Sequence, residues 1–372
     1  MRVLHLMSGL VPGGVQSVVL NYANKVSLQG VVFDYAVQKS GDPQIEAKCI
    51  AEGSKIYPVA DIFKHPIRGM VELYKLLKQH PEYKVIHVHQ NDVNTLSLFA
   101  AKLAGVKVRI SHSHSFRPCN SKLKRILKSI NHRLLKFMAT DLWACSAVAY
   151  EWLYDAPFSE DKKHSFILHN AVDLDKFAYC QQDRAQYRQE LELGETFACV
   201  CVATLSPNKN QQYLLRVFKD LTDRKLDAKL LFVGDGDHKN TLQAMCAELG
   251  LEDKVRFLGN RQDVFRLLNA ADCMLLASMF EGLPISALEG QVNGLPCVLS
   301  KAVPEEVRIG ENVYFLDITE QAVIAWADII QELMVNRYPR DIRMEENARQ
   351  HGFDIYAEGV RLAEKYKELN KA

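Results

Sequence analysis

The sequence predicts an α/β protein made of two doubly wound parallel-sheet domains. Three observations carry that prediction. Short apolar runs alternate with longer amphipathic segments along most of the 372 residues, the pattern of strand–helix layers. The alternation breaks at a polar stretch, 173–196, and then restarts. The length itself favours two domains over one.

In the first half, residues 3–7, 33–37, 55–59, 85–89, 107–111, 142–145 and 165–168 read as strands. Helices are expected between them, for example over 16–27, 67–80 and 95–103. In the second half, 197–205, 229–233, 255–257, 273–277 and 296–300 read as strands, and 210–222, 238–249, 264–269 and 284–293 as helices. The tail, 355–370, reads as one amphipathic helix. Ligands of open α/β sheets bind at the carboxyl ends of strands, so with two such domains the expected site is the cleft between them.

Bulk composition excludes several classes. With 48% hydrophobic and 24% charged residues and a formal net charge of +1, the chain is an ordinary globular protein, without the charge of a nucleic-acid coat or an acidic tail. Nine cysteines, an odd number with no C-x-x-C pair, read as reduced thiols of a cytosolic protein. The first residues lack a signal-peptide pattern, and no run of eighteen apolar residues spans a membrane.

The most informative stretch is Phe280-Glu281-Gly282-Leu283-Pro284-Ile285, leading to Glu289. It follows a strand, and Pro284 suits a first helical turn. The N–H groups from Gly282 to Ser286 then suit a diphosphate. Glu289, about one turn into the helix, offers two oxygens to a diol such as a ribose. Glu281 lies before the turn, where a sugar would sit. The alternative is two solvent-exposed glutamates, which the apolar surroundings weaken.

Other strand ends carry candidate groups. Gly13 and Gly14 follow the first strand, either to let backbone N–H groups approach an anion or as a plain turn; the spacing is not a dinucleotide fingerprint. His112, in Ser111-His112-Ser113-His114, offers a hydrogen bond to a sugar hydroxyl. His112 and His114 also have a metal-ligand spacing, but without an evident third ligand. His87 and His89 read as core histidines. Lys209 stands at a helix start as a diphosphate clamp or an exposed loop lysine. Arg261 could stack on a planar base or belong to an ordinary turn.

Residues 121–138 read as a helix whose apolar positions recur at helical spacing, while Lys122, Lys124, Arg125, Lys128, Arg133 and Lys136 fill the other faces. No acidic residue occurs between His112 and Thr140. A basic amphipathic helix reads as a surface for anionic membrane, the alternative being a core-packed helix with a basic outer face. Nucleic acid is not expected, since no aromatic platform accompanies the lysines.

These stretches together resemble the family 4 retaining glycosyltransferases of the GT-B fold, whose E-x7-E motif matches Glu281 to Glu289. The surrounding residues, Ala271-Asp272-Cys273 through Leu283-Pro284 and Gly294-Leu295-Pro296-Cys297, are similar to the family's donor-domain signature. Gly13-Gly14, His112, Asn170, Lys209, Gly234-Asp235-Gly236 and Phe257-Leu258-Gly259 match further positions. The wording around His112 and Glu289 is most similar to bacterial capsule and exopolysaccharide enzymes.

The resemblance implies two Rossmann-like domains facing across a cleft. Residues 1–172 would form the acceptor side, with 355–372 crossing back onto it, and 173–354 the donor side. It implies metal-independent, retaining transfer from a nucleotide-diphospho-sugar to a glycan or lipid-linked saccharide, with no cofactor. Glu289 would bind the ribose, Glu281 and His112 the sugar, and Lys209 the diphosphate. Gly14 and the turn Gly282-Leu283-Pro284-Ile285 would lie near the phosphates. The basic helix would dock on the inner face of the cell membrane. One departure concerns charge: the family commonly has arginine where this chain has Thr204. Two other readings stay open, a GT-B epimerase or phosphorylase, and a donor-binding partner without catalysis.

Overall fold

The computed structural model describes all residues except 12, 116–121, 160–163, 338, 341–342 and 372, and describes residues 92 and 122–127 by backbone alone. The chain forms two compact units, Met1–Asn170 with Ile355–Ala372, and Ala171–Asp354.

The first unit holds strands β1 (Arg2–Met7), β2 (Val32–Val37), β3 (Ile56–Pro58), β4 (Val85–Val88), β5 (Val108–Ser113), β6 (Asp141–Ala144) and β7 (Ser165–Ile167). They pair in parallel in the order β3-β2-β1-β4-β5-β6-β7. This order reverses between β1 and β4, the switch point of a doubly wound sheet. Buried aliphatics such as Val3, Leu4, Ile86 and Ile110 fill the strands, as expected where helices cover both faces.

The second unit repeats the plan with β8 (Phe197–Val202), β9 (Ala228–Val233), β10 (Val255–Phe257), β11 (Cys273–Leu276), β12 (Cys297–Ser300) and β13 (Val313–Leu316). Its order is β10-β9-β8-β11-β12-β13, again parallel, with the reversal between β8 and β11. Phe197, Leu214, Phe218, Leu230 and Trp326 belong to one buried core.

The structure departs from the sequence reading in several places. The strand expected over 107–111 continues to Ser113, so His112 lies within β5 rather than at its end. The strand β13 and the helix Ala322–Asn336 were not anticipated. The helix Pro43–Ala51 was not located individually, although Asp42 caps it, accepting from the Gln44 and Ile45 N–H groups at 2.8 and 3.2 Å, with Pro43 opening it.

The polar stretch read as a junction is itself structured. It carries the helix Gln181–Glu190, whose Arg184 and Arg188 bind Asp272 at 2.6 and 3.1 Å. Arg188 also donates to the carbonyls of Gly194, Thr196 and Ala270. A stretch that looks like a linker by polarity is therefore fastened to the second sheet by arginine donors, of which Arg188 is buried.

Candidate active site

In the second unit, two loops meet at the switch point. One follows β8 and ends in a short 3-10 turn, Pro207–Lys209, with Asn210 in the left-handed region at φ 52°. The other follows β11 and leads into the helix Ile285–Val292. The Met279 N–H donates to the Asn208 carbonyl at 2.8 Å, and the Asn208 amide donates to the Phe280 carbonyl at 3.2 Å. This lacing brings Lys209 Nζ to 2.5 Å from Glu281 Oε1. Glu281 is buried, and a buried carboxylate needs such a partner.

Gly234 and Gly236 let their backbone approach the loop after β8 closely. They have φ of +135° and +159°, and a Cβ on either would come within 2.3 Å of the Ala203 or Leu205 carbonyl oxygen. Only glycine allows that approach. Thr204 is exposed, and its carbonyl accepts from the Gln211 side chain at 2.9 Å.

The helix after β11 begins at Ile285, one residue later than predicted, with Pro284 as the preceding cap residue. Its first-turn N–H groups at Ile285 and Ser286 have no intrahelical acceptor. Such a terminus carries the positive potential that suits an anion, and Gly282 and Leu283 precede it in the same loop. Gly290 lets the helix press on β11: a Cβ there would lie 2.6 Å from Met274 Sδ.

That close packing half-buries Glu289. Burial pushes its carboxyl up to about 8, with Lys176 pulling weakly the other way. Among the described residues its carboxylate has no hydrogen-bond partner. Arg261 is placed differently from a free stacking group: its Nε and Nη2 bind Asp263 at 2.8 and 2.7 Å, and Glu190 lies 3.6 Å away.

In the first unit, Gly13 precedes the helix Gly14–Ser27 in an extended conformation. A Cβ on Gly14 would meet nothing within 4 Å, so the protein's own packing does not require glycine there. Beyond it, His5, His87, His89, His112 and His114 gather where β1, β4 and β5 lie side by side. All five are buried. Burial lowers every one of them, His5 and His114 to about 3.

The sequence reading found no third ligand for His112 and His114; the structure supplies His89, and a second triplet comprises His5, His87 and His89. Within each triplet the nitrogens lie within 4.8 Å of one another, an arrangement of imidazoles able to take a transition metal. Two H-x-H runs on neighbouring parallel strands were the signal for this cluster. Their register, His87 opposite Ile110 and Val88 opposite Ser111, aligns them.

The basic helix spans Lys122–Met138. The side chains of Lys122, Lys124 and Arg125 lie outside the described residues. Lys128 Nζ stands 3.4 Å from the Trp152 ring centroid, while Arg133 and Lys136 are exposed. His132 and Leu135 face inward. Ile130, Leu134 and Phe137 are 50, 47 and 71% exposed. The outer face is thus apolar and basic together, rather than basic alone. Among the described residues no helix is long and apolar enough to cross a membrane.

Comparison with known proteins agrees with this geometry. Residues 12–176 match the family model described as Glycosyltransferase Family 4, and residues 183–351 match Glycosyl transferases group 1. EpsF of Bacillus subtilis (strain 168), which carries a glycosyltransferase designation, is 26% identical over 357 residues, 95% of this chain and 93% of that protein. An Escherichia coli UDP-Gal:alpha-D-GlcNAc-diphosphoundecaprenol alpha-1,3-galactosyltransferase is 30% identical over 63% of this chain and 62% of its own length.

Among solved structures, Anabaena HepE in complex with UDP-glucose superposes with a TM-score of 0.81 at 20% identity, covering 99% of this chain and all of that one. WaaG, a lipopolysaccharide-biosynthesis glycosyltransferase, gives 0.72 at 18% identity, over 97% of this chain and 98% of its own. The paired doubly wound units are thus of GT-B type. With one family model on each half and a relative aligned along nearly its whole length, the chain belongs to the family 4 glycosyltransferases.

Proposed function

We propose that this chain is a retaining, metal-independent glycosyltransferase that moves a sugar from a UDP-sugar to a glycan or lipid-linked saccharide in cell-surface polysaccharide synthesis. The observation that carries the reading is Glu289, a half-buried carboxylate raised to about 8 and without a hydrogen-bond partner among the described residues. A group so placed is stabilised by a ligand that donates two hydroxyl hydrogens, as a ribose does. The Ile285 and Ser286 N–H groups and Lys209 supply positive potential for a diphosphate nearby. A diphosphate arriving there competes with Glu281 for Lys209 and frees that carboxylate to accept from sugar hydroxyls.

The donor preference rests on HepE, described with UDP and with UDP-glucose, and on the UDP-Gal-using relative. The latter's diphosphoundecaprenol acceptor supports the lipid-linked class, and WaaG, described in lipopolysaccharide biosynthesis, supports the cell-surface role. In the transfer, the anomeric carbon–phosphate oxygen bond breaks as the bond to the acceptor oxygen forms on the same face. The acceptor proton passes to the departing phosphate. His112 donates to the sugar, and the exposed face of Lys122–Met138 holds the chain on anionic lipid, where such acceptors reside.

The test is thermal unfolding and calorimetric binding with UDP, GDP and ADP in EDTA, beside Glu289→Ala. A shift confined to UDP compounds and lost in the variant supports the reading. No shift with any nucleotide, or one that Glu289→Ala leaves intact, overturns it. Proton NMR of the product then reads the anomeric configuration, and a β-linkage from an α-donor would refute retention.

A further inference from the structure

The buried imidazoles of the first unit form two separate hydrogen-bonded rows. In one, Tyr366 Oη lies 2.6 Å from His87 Nδ1, and His87 Nε2 lies 2.9 Å from His112 Nδ1. His112 Nε2 ends that row, buried and without a hydrogen-bond partner among the described residues. In the other row, His5 Nδ1 lies 2.9 Å from His89 Nε2, and His89 Nδ1 lies 2.7 Å from His114 Nε2.

A neutral imidazole has one N–H and one lone pair, on opposite nitrogens. Each nitrogen–nitrogen bond consumes one of each, so a row of neutral rings has only two proton arrangements, and its far end decides between them. In the first row that end is Tyr366, on the helix Ile355–Lys371. Burial holds its hydroxyl well above the ordinary phenol value, so it keeps its proton. The only acceptor found for that proton among the described residues is His87 Nδ1. Tyr366 therefore donates, His87 carries its proton on Nε2 and donates to His112 Nδ1, and His112 carries its proton on Nε2.

We propose that Tyr366 and His87 are positioning residues that fix His112 as an Nε2–H donor to an acceptor oxygen of the sugar. The proposal rests on the reading of His112 as a sugar contact. It gives the C-terminal helix a part in the chemistry, since a residue 279 positions from His87 sets the tautomer. A buried N–H without an acceptor is destabilising until a ligand oxygen pairs with it, so the row sets the donor's proton before the ligand arrives.

The test uses the full chain labelled with 15N-histidine. In the wild type the His112 Nε2 resonance should be that of a protonated imidazole nitrogen and Nδ1 that of an unprotonated one. Tyr366→Phe should leave His112 as a mixture of both tautomers, with kcat down about tenfold and the affinity for UDP unchanged. On a His112→Gln background, where the amide donates from the Nε2 position in either case, Tyr366→Phe should cost nothing further.

A His112 that stays fully Nε2-protonated in Tyr366→Phe, with unchanged kcat, overturns the proposal. So does stoichiometric retention of Zn2+ through dialysis that His89→Ala abolishes, because metal-bound nitrogens do not carry these protons. Should the tautomers behave as stated while His112→Ala turns over like wild type, the sugar contact fails and the hydrogen-bonded row stands. The two failures are therefore distinguishable.

Discussion

Glu289 shows how one side chain ties stability against binding. Its folded carboxyl titrates at about 8, well above the ordinary glutamate value. A group raised in this way favours the folded state fully below its unfolded value, about 4.3, and loses that contribution as pH rises through about 8. Glu289→Gln should therefore flatten the fall of Tm between those limits and raise Tm at pH 8, read by thermal unfolding across a pH series. A diol is accepted by the carboxylate, not the acid, so ligand binding below pH 8 expels a proton. Affinity for a UDP-sugar, whose phosphates do not titrate there, should fall about tenfold per pH unit on descending from 8 to 6. Calorimetry in buffers of different ionisation enthalpy would count the proton. A pH-independent affinity would mean that Glu289 does not meet the diol. The E-x7-E spacing makes Glu289 legible from sequence as a candidate. The sequence does not reveal its burial, because that depends on Gly290 seating the helix on Met274.

At the scale of elements, the carboxyl-terminal helix Ile355–Lys371 packs on Gly14–Ser27 within the first unit. Gly359 sets the spacing: a Cβ there would fall 2.6 Å from Lys25 Cβ. Around it, Lys25 Nζ covers the Tyr356 ring at 3.6 Å, and Arg361 donates to the Ile167 carbonyl at 3.2 Å. Gly359→Leu should force the helices apart and destabilise the chain by about 1–3 kcal/mol, seen as a lower Tm. Through Tyr366 it should also loosen His87. An unchanged Tm would show that this helix contact is not tight in solution. Strong periodicity made this helix readable, as short apolar runs did most strands of both sheets. Two of the elements missed have their signal in capping or in partners. Helix Pro43–Ala51 is announced only by Asp42-Pro43, and Gln181–Glu190 is amphipathic only once Arg184 and Arg188 are counted as inward residues. The histidine rows were half legible: H-x-H runs are visible, but their register and the distant Tyr366 are tertiary facts.

For the whole molecule, a net charge of +1 gives no general attraction to anionic surfaces. Any membrane affinity must come from a local face, and the helix Lys122–Met138 offers one. Ile130, Leu134 and Phe137 recur at helical spacing on its exposed side, interleaved with Arg133 and Lys136. The two contributions respond differently to conditions. Phe137→Glu removes an apolar contact of about 1.5–3 kcal/mol and adds a repelled charge. It should weaken binding to vesicles containing phosphatidylglycerol by at least about tenfold, whatever the salt. Arg133→Glu with Lys136→Glu should weaken binding strongly at low ionic strength and little at about 1 M, where the Debye length shrinks to about 3 Å. Vesicle sedimentation at two salt concentrations, with neutral phosphatidylcholine vesicles as the second surface, separates these effects. Both variants should keep wild-type UDP affinity, because they lie outside the unit that carries Glu289 and Lys209. Equal binding to neutral and anionic vesicles, or full binding by the charge-reversed variant at low salt, would remove this face from the membrane account and leave the donor site untouched.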